Sequence, residues 1–160
     1  MTTEHLLRQF QFDQMTLDRL LADVSQADSL RVVQPADKSI NWLLGHIVSA
    51  RAKLLGILGM ELPWKEEIMG IYGGPDAPPF AASSAKPLSD LRALLNESLR
   101  TLDETLRKNE AMLEQPCDGL PHVSSGGTIA DRVGAFACHE AYHVGQIGLM
   151  RRLMGKPGLF

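Results

Sequence analysis

The sequence predicts an all-α fold, a four-helix bundle formed as one domain over residues 1–160. Three observations carry that prediction. Four segments repeat apolar residues with the 3.6-residue period of a helix, no segment alternates convincingly as a strand would, and the stretches between them gather proline and glycine. At 160 residues the chain can bury a core of its own without disulfides or a structural metal.

The first helix is expected from about Glu4 to Val24, with Leu6, Phe10, Leu17, Leu20, Leu21 and Val24 on one stripe. Asp13 falls on that stripe, and a carboxylate there reads as a solvated residue at the stripe's edge. After Gln34-Pro35-Ala36-Asp37, either Asp37 or Ser39 can cap a second helix running to about Leu58, where Gly59 ends it. Residues 60–87 read as a long loop, which Trp64, Tyr72 and Phe80 fold back over the helices. The third helix starts near Ser89, ends near Lys108 and buries Leu91, Leu94, Leu95, Leu99, Leu102 and Leu106. A second loop, Glu110 to Gly127, holds Pro116, Pro121 and Ser124-Ser125-Gly126-Gly127. Thr128 then caps the fourth helix with Asp131 as its capping-box partner, and Gly155 and Pro157 stop the helix after Met154.

Composition narrows the function. A net charge of −3 with interspersed signs and no basic stripe argues against nucleic acid as a partner. Every long apolar stretch is interrupted by Arg, Lys, His or Glu, so no membrane span is expected. Glu4, Arg8 and Asp13 break up the apolar run that a signal peptide needs. With only Cys117 and Cys138, the chain suits reduced thiols in a cytoplasmic setting rather than a disulfide framework.

The most informative string is His139-Glu140-Ala141-Tyr142-His143. Two imidazoles four residues apart leave the same helix face, within reach of one metal ion. The string matches the H-E-x-x-H signature of zinc peptidases. However, the chain carries no acidic residue after Glu140, and Leu149 stands where an extended motif would place a third histidine. A third ligand must come from upstream, and His46 is the candidate. It lies in the almost uncharged run Asn41-Trp42-Leu43-Leu44-Gly45-His46-Ile47-Val48. Alone it reads as a core histidine bonded to a backbone carbonyl; beside the pair it completes a three-His set. Three neutral imidazoles with an open position form catalytic rather than closed structural geometry.

These residues resemble the DinB/YfiT superfamily. The likeness rests on the order of Asn41-Trp42-x-x-Gly45-His46 and His139-x-x-x-His143-Val144-Gly145-Gln146 within a bundle of this length. It implies a DinB-like four-helix bundle in which His46, His139 and His143 bind a divalent metal ion, zinc or nickel. It also implies a small-molecule substrate, use of a low-molecular-weight thiol such as bacillithiol, mycothiol or glutathione, and a homodimer. Gly145 and Gly148 on the fourth helix, with Val144, Ile147 and Leu149, read independently as a face that another helix can approach.

Two catalytic candidates accompany the ligands. Glu140 lies about 100° around the helix from His139 and either serves as a general base at the pocket edge or pairs with a cation such as Arg51 or Arg92. Gln146, three residues past His143, can orient that ring or a substrate. Tyr142 can reach the site or pack; Cys138 points away from the ligand face; His5 and His122 read as exposed. The expected function is a metal-dependent S-transferase or hydrolase. The alternative is a non-catalytic dimeric binding or stress-response protein with a structural or vestigial metal site, and a peptidase is a distant third.

Overall fold

The computed structural model describes residues 2–74, 79–117 and 127–159. His122, Pro121 and the stretch 124–126, all discussed above from sequence, lie outside the described residues. The all-α expectation holds: four long helices, α1 (Thr3–Leu20), α3 (Ile40–Ile57), α5 (Leu88–Lys108) and α6 (Ile129–Leu153), carry the core. Two short helices add to them, α2 (Gln26–Leu30) and α4 (Lys65–Tyr72). A two-residue antiparallel pair, β1 (Pro116–Cys117) with β2 (Gly127–Thr128), leads into α6.

The helix starts follow from their caps. Thr2 accepts from the His5 N–H at 3.3 Å, and Ser39, one of the two candidates for the second helix, accepts from Trp42 at 3.2 Å. Thr128 and Asp131 form the reciprocal capping box expected of them. Gly155 ends the chain's last helix with a φ of +79°, a left-handed conformation that costs glycine nothing.

In cross-section α1 neighbours α5 and α6, and α3 neighbours the same two, so α1 and α3 sit on a diagonal. Leu6 lies against Gly134 and Leu20 against Gly148, so α1 and α6 run parallel. Asn41 reaches the Lys86 carbonyl and Arg51 the Leu95 carbonyl, so α3 and α5 are parallel as well. Parallel neighbours cannot be joined by a tight turn, which explains the long connection between them. That connection is not the plain loop expected from sequence. It contains α4, whose eight residues bury only Ile68 and Tyr72, too few for a legible period. The Ser25/Asp28 capping box of α2 also went unread, in a helix too short to show a stripe.

The core divides into two apolar halves. One gathers Leu17, Leu20, Leu44, Ile47, Tyr72, Leu95, Val144 and Ile147; the other gathers Leu6, Phe10, Leu54, Leu55, Leu102, Leu106, Val133 and Ala137. On every long helix the boundary between the halves carries a buried polar residue: Asp13 and Gln14, Arg51, Ser98, and Glu140. The solvated Asp13 expected from sequence is therefore a correction, since only 6% of the residue is exposed.

Gly45 shows how tightly the connection is seated. A β-carbon there would overlap the ring of Tyr72, which is itself fully buried. Gly45→Ala is therefore expected to destabilise the fold by about 1–3 kcal/mol, the usual cost of overpacking, as measured by urea unfolding. An unchanged midpoint would show that α4 does not rest on α3 in solution.

Candidate metal centre

His46, His139 and His143 converge. Among the described residues they form the one group of three or more His, Cys, Asp or Glu side chains placed to hold a metal, each with a ligand atom within 4.8 Å of the others. The His139 Nε2 lies 3.3 Å from that of His46 and 3.1 Å from that of His143. Such spacing is what ~2.1 Å bonds from three imidazoles to one ion require.

Two of the three rings are oriented by hydrogen bonds from outside the cluster. His46 Nδ1 donates to the Tyr72 carbonyl at 2.8 Å. A carbonyl can only accept, so that bond fixes the proton on Nδ1 and leaves the His46 Nε2 as a bare lone pair. Both sequence readings of His46 are thus realised by one ring, one nitrogen on a carbonyl and the other in the triad. Trp42 stacks on a face of the same ring at 4.8 Å with planes 9° apart, and Lys38 covers Trp42 at 4.9 Å. His143 Nδ1 donates to Gln146 Oε1 at 2.7 Å, so its Nε2 is also a lone pair. The Gln146 amide N–H then donates to the Tyr142 hydroxyl at 3.1 Å. Gln146 holds the position expected of an orienting residue; Tyr142 is 64% exposed and so is not core packing.

The hydrogen-bond arithmetic of the donor set favours a cation at its centre. Two fixed lone pairs face the His139 Nε2, and the buried His139 Nδ1 has no hydrogen-bond partner. One proton on His139 cannot satisfy both lone pairs well, whereas a cation among the three nitrogens satisfies all of them. Burial pushes His139 down to about 4, helped by His143 and His46. Burial also lowers His143, partly opposed by its bond to Gln146. Both rings are therefore neutral at pH 7, the state that binds metal. The residues fit a divalent ion.

Glu140 is elsewhere. It is 2% exposed and its two oxygens accept from Arg51 Nε at 2.8 Å and from a terminal nitrogen of Arg51 at 2.5 Å. The other Arg51 terminal nitrogen donates to Gln14 Oε1 at 3.1 Å and to the Leu95 carbonyl at 2.8 Å. Of the two roles left open for Glu140, the structure shows the ion pair, and with Arg51 rather than Arg92, which lies beside Asp18. The general-base role is corrected accordingly, because a carboxylate bound through both oxygens to a buried guanidinium has no free basic edge. Cys138, assigned no ligand role, is exposed, and Cys117 is half-buried.

Asn41 and Tyr72 are the supporting residues that the sequence reading did not assign. The Tyr72 hydroxyl donates to Asn41 Oδ1 at 2.9 Å and accepts from the Lys86 N–H at 2.8 Å. Asn41 in turn donates to the Lys86 carbonyl at 3.0 Å. Asn41 could have been suspected from its place in an apolar run; nothing in the sequence around Tyr72 marks its carbonyl as a histidine partner.

Parallel and antiparallel long helices pooling three imidazoles define a helical protein with a candidate metal site of the three-His class. The family comparison agrees: a model described as DinB superfamily matches residues 9–147, and the chain belongs to that superfamily. The comparison with curated proteins found no match. No described helix is long and apolar enough to cross a membrane.

Replacing Glu140 by Gln leaves the Arg51 charge buried without its counter-ion. We expect a loss of about 3–5 kcal/mol in unfolding free energy, the usual cost of breaking a buried pair. Chemical denaturation checks it, and a loss below about 1 kcal/mol would mean that the pair is solvated in solution.

Proposed function

We propose that the protein is a divalent-metal-dependent enzyme of the S-transferase or hydrolase type, acting on a small molecule with a low-molecular-weight thiol as the co-substrate in the transferase case. The observation that carries this reading is the triad itself: three Nε2 atoms turned inward while the Nδ1 atoms of two rings are held by acceptors outside. His46, His139 and His143 would hold the ion, zinc or nickel. A bound ion of this kind acts as a Lewis acid and makes a nucleophile available at neutral pH without a protein Ser or Cys.

The surrounding residues do the rest. Tyr72 and Trp42 fix the His46 ring; Gln146 fixes His143 and spends its N–H on the Tyr142 oxygen, which leaves the Tyr142 O–H free to donate to a substrate. The transferase version is favoured over the hydrolase version because the acidic residue of the H-E-x-x-H string is committed to Arg51. A peptidase reading finds no support for the same reason.

Metal content measured on protein purified without an affinity tag tests the reading. We expect about one divalent ion per chain, lost in His143→Ala and in the triple His→Ala variant while helical content persists, since losing one of three ligands collapses affinity. Metal-free wild type would overturn the proposal. Metal-loaded protein inert toward thiols with electrophiles, and toward hydrolysable esters and amides, would leave the alternative of a non-catalytic helical protein with a structural site.

We also propose a homodimer, supported by a stripe on α6 comprising Tyr142, Gly145, Leu149 and Leu153. Leu149 is 58% and Leu153 40% exposed, and a β-carbon on Gly145 would meet open space. Val144 and Ile147, expected on that face, belong to the core instead. Sedimentation should give a dimer at micromolar concentration and a monomer for Leu149→Asp; a monomeric wild type would reject it.

A further inference from the structure

The buried polar layer has one charge too many. Asp13 on α1 and Glu140 on α6 are 6% and 2% exposed, and the guanidinium of Arg51, 1% exposed, is the buried cation opposite them. Arg51 gives two of its nitrogens to Glu140 and the third to Gln14 and the Leu95 carbonyl. Among the described residues, Asp13 has neither an ion pair nor a side-chain hydrogen bond. The other charges near its level on α5 are occupied at the surface, Arg92 beside Asp18 and Glu97 on the Trp64 indole; α5 offers this layer only the neutral Ser98 and Asn96. With both carboxyls ionised the layer carries −1; with Asp13 protonated it is neutral. A buried layer in low dielectric favours the neutral form.

The balance changes one residue away. Glu140 directly follows His139, a member of the triad, so the polar layer shares one turn of α6 with two of the three imidazoles, His139 and His143. Two positive charges placed among neutral imidazoles would make an ionised Asp13 favourable. The geometry points to Asp13 as the charge-compensating proton site of the triad: it holds a proton while the triad carries no cation, and loses that proton to solvent when a divalent cation binds. The step balances as one carboxyl O–H broken, one carboxylate formed and one proton taken up by the buffer. This rests on the metal reading above and adds to it a group that touches no metal. The local electrostatics agree, since burial first and the Glu140 charge second push Asp13 up to about 7 against the pull of Arg51.

Coupling of this kind is reciprocal: the ion lowers the affinity of Asp13 for its proton, and ionised Asp13 raises affinity for the ion by the same factor. The experiment is calorimetric titration of zinc into the metal-free full chain, in buffers of different ionisation enthalpy, at about pH 6.5 and pH 8.5, which counts protons released per ion. Wild type should release up to about one proton more than Asp13→Asn at pH 6.5, and that difference should shrink toward zero at pH 8.5, where Asp13 is already ionised. A proton lost by a zinc-bound water would show the opposite pH trend and would survive in Asp13→Asn. The variant should also bind zinc about tenfold more weakly than wild type at pH 8.5, with a smaller deficit at pH 6.5. Asp13→Leu, which cannot hold a proton at this place, should reproduce the proton count of Asp13→Asn. A separate sign holds for the metal-free chain: because Asp13 is raised in the fold, its cost to stability appears as pH climbs from about 4 to about 7, so Asp13→Asn should raise the melting temperature at pH 8 more than at pH 5. Zinc binding with the same proton count in wild type and variants would overturn this proposal and leave the metal reading intact. Absence of a binding isotherm would overturn both.

Discussion

Arg51 is the residue around which the rest is arranged. It is a fully buried guanidinium that touches all four long helices: its own α3, Glu140 on α6, Gln14 on α1 and the Leu95 carbonyl on α5. A charge placed in a helical core costs several kcal/mol to desolvate, and the cost is tolerable only when every donor is met. Meeting them fixes the rotation and axial position of all four helices together. Apolar packing alone would tolerate small slides of one helix along another; a forked ion pair would not. The two apolar halves of the core lie on either side of this layer, and the triad lies beside it on α3 and α6.

The H-E-x-x-H string owes its meaning here to that layer. Successive residues on a helix diverge by about 100°, so a helix that turns His139 and His143 toward one cleft must turn Glu140 to another. In this chain the second direction is the interior, where Arg51 waits. The same five letters on a helix whose next face bordered a substrate cleft would leave the carboxylate free as a base. The motif therefore marked two imidazoles that do share one face and left the role of its acid open, because their alignment depends on spacing within one helix while the acid depends on what packs against it.

What was legible follows the same division. The four long helices, the Ser39 cap, the Thr128/Asp131 box and the three imidazoles all rest on local periods and spacings. The structure departs from expectation where tertiary partners decide. Asp13 looked like an edge residue because the helices that bury it, and the Arg51 and Glu140 charges whose field it feels, are remote in sequence. The connection before α5 looked like loop because α4 buries two residues rather than a stripe. Tyr72 was visible as an aromatic that folds back, but the use of its carbonyl is a property of where α4 ends.

The pattern Asn41-Trp42-x-x-Gly45-His46 becomes intelligible once that end is placed. Gly45 leaves room for the Tyr72 ring, Asn41 binds its hydroxyl, and the carbonyl of the same residue then meets His46 Nδ1 while Trp42 covers the ring's open face. Four positions of one helix thus serve a single purpose, which is to present one lone pair at a fixed point. His143 obtains the same result from a single residue, Gln146, one turn further along α6. His139 alone has no such partner on Nδ1, and it is the ring whose Nε2 stands nearest to both others. A ring held only through its inward nitrogen is the one whose orientation most depends on what occupies the centre, so the triad is preorganised by two of its members and completed by the third.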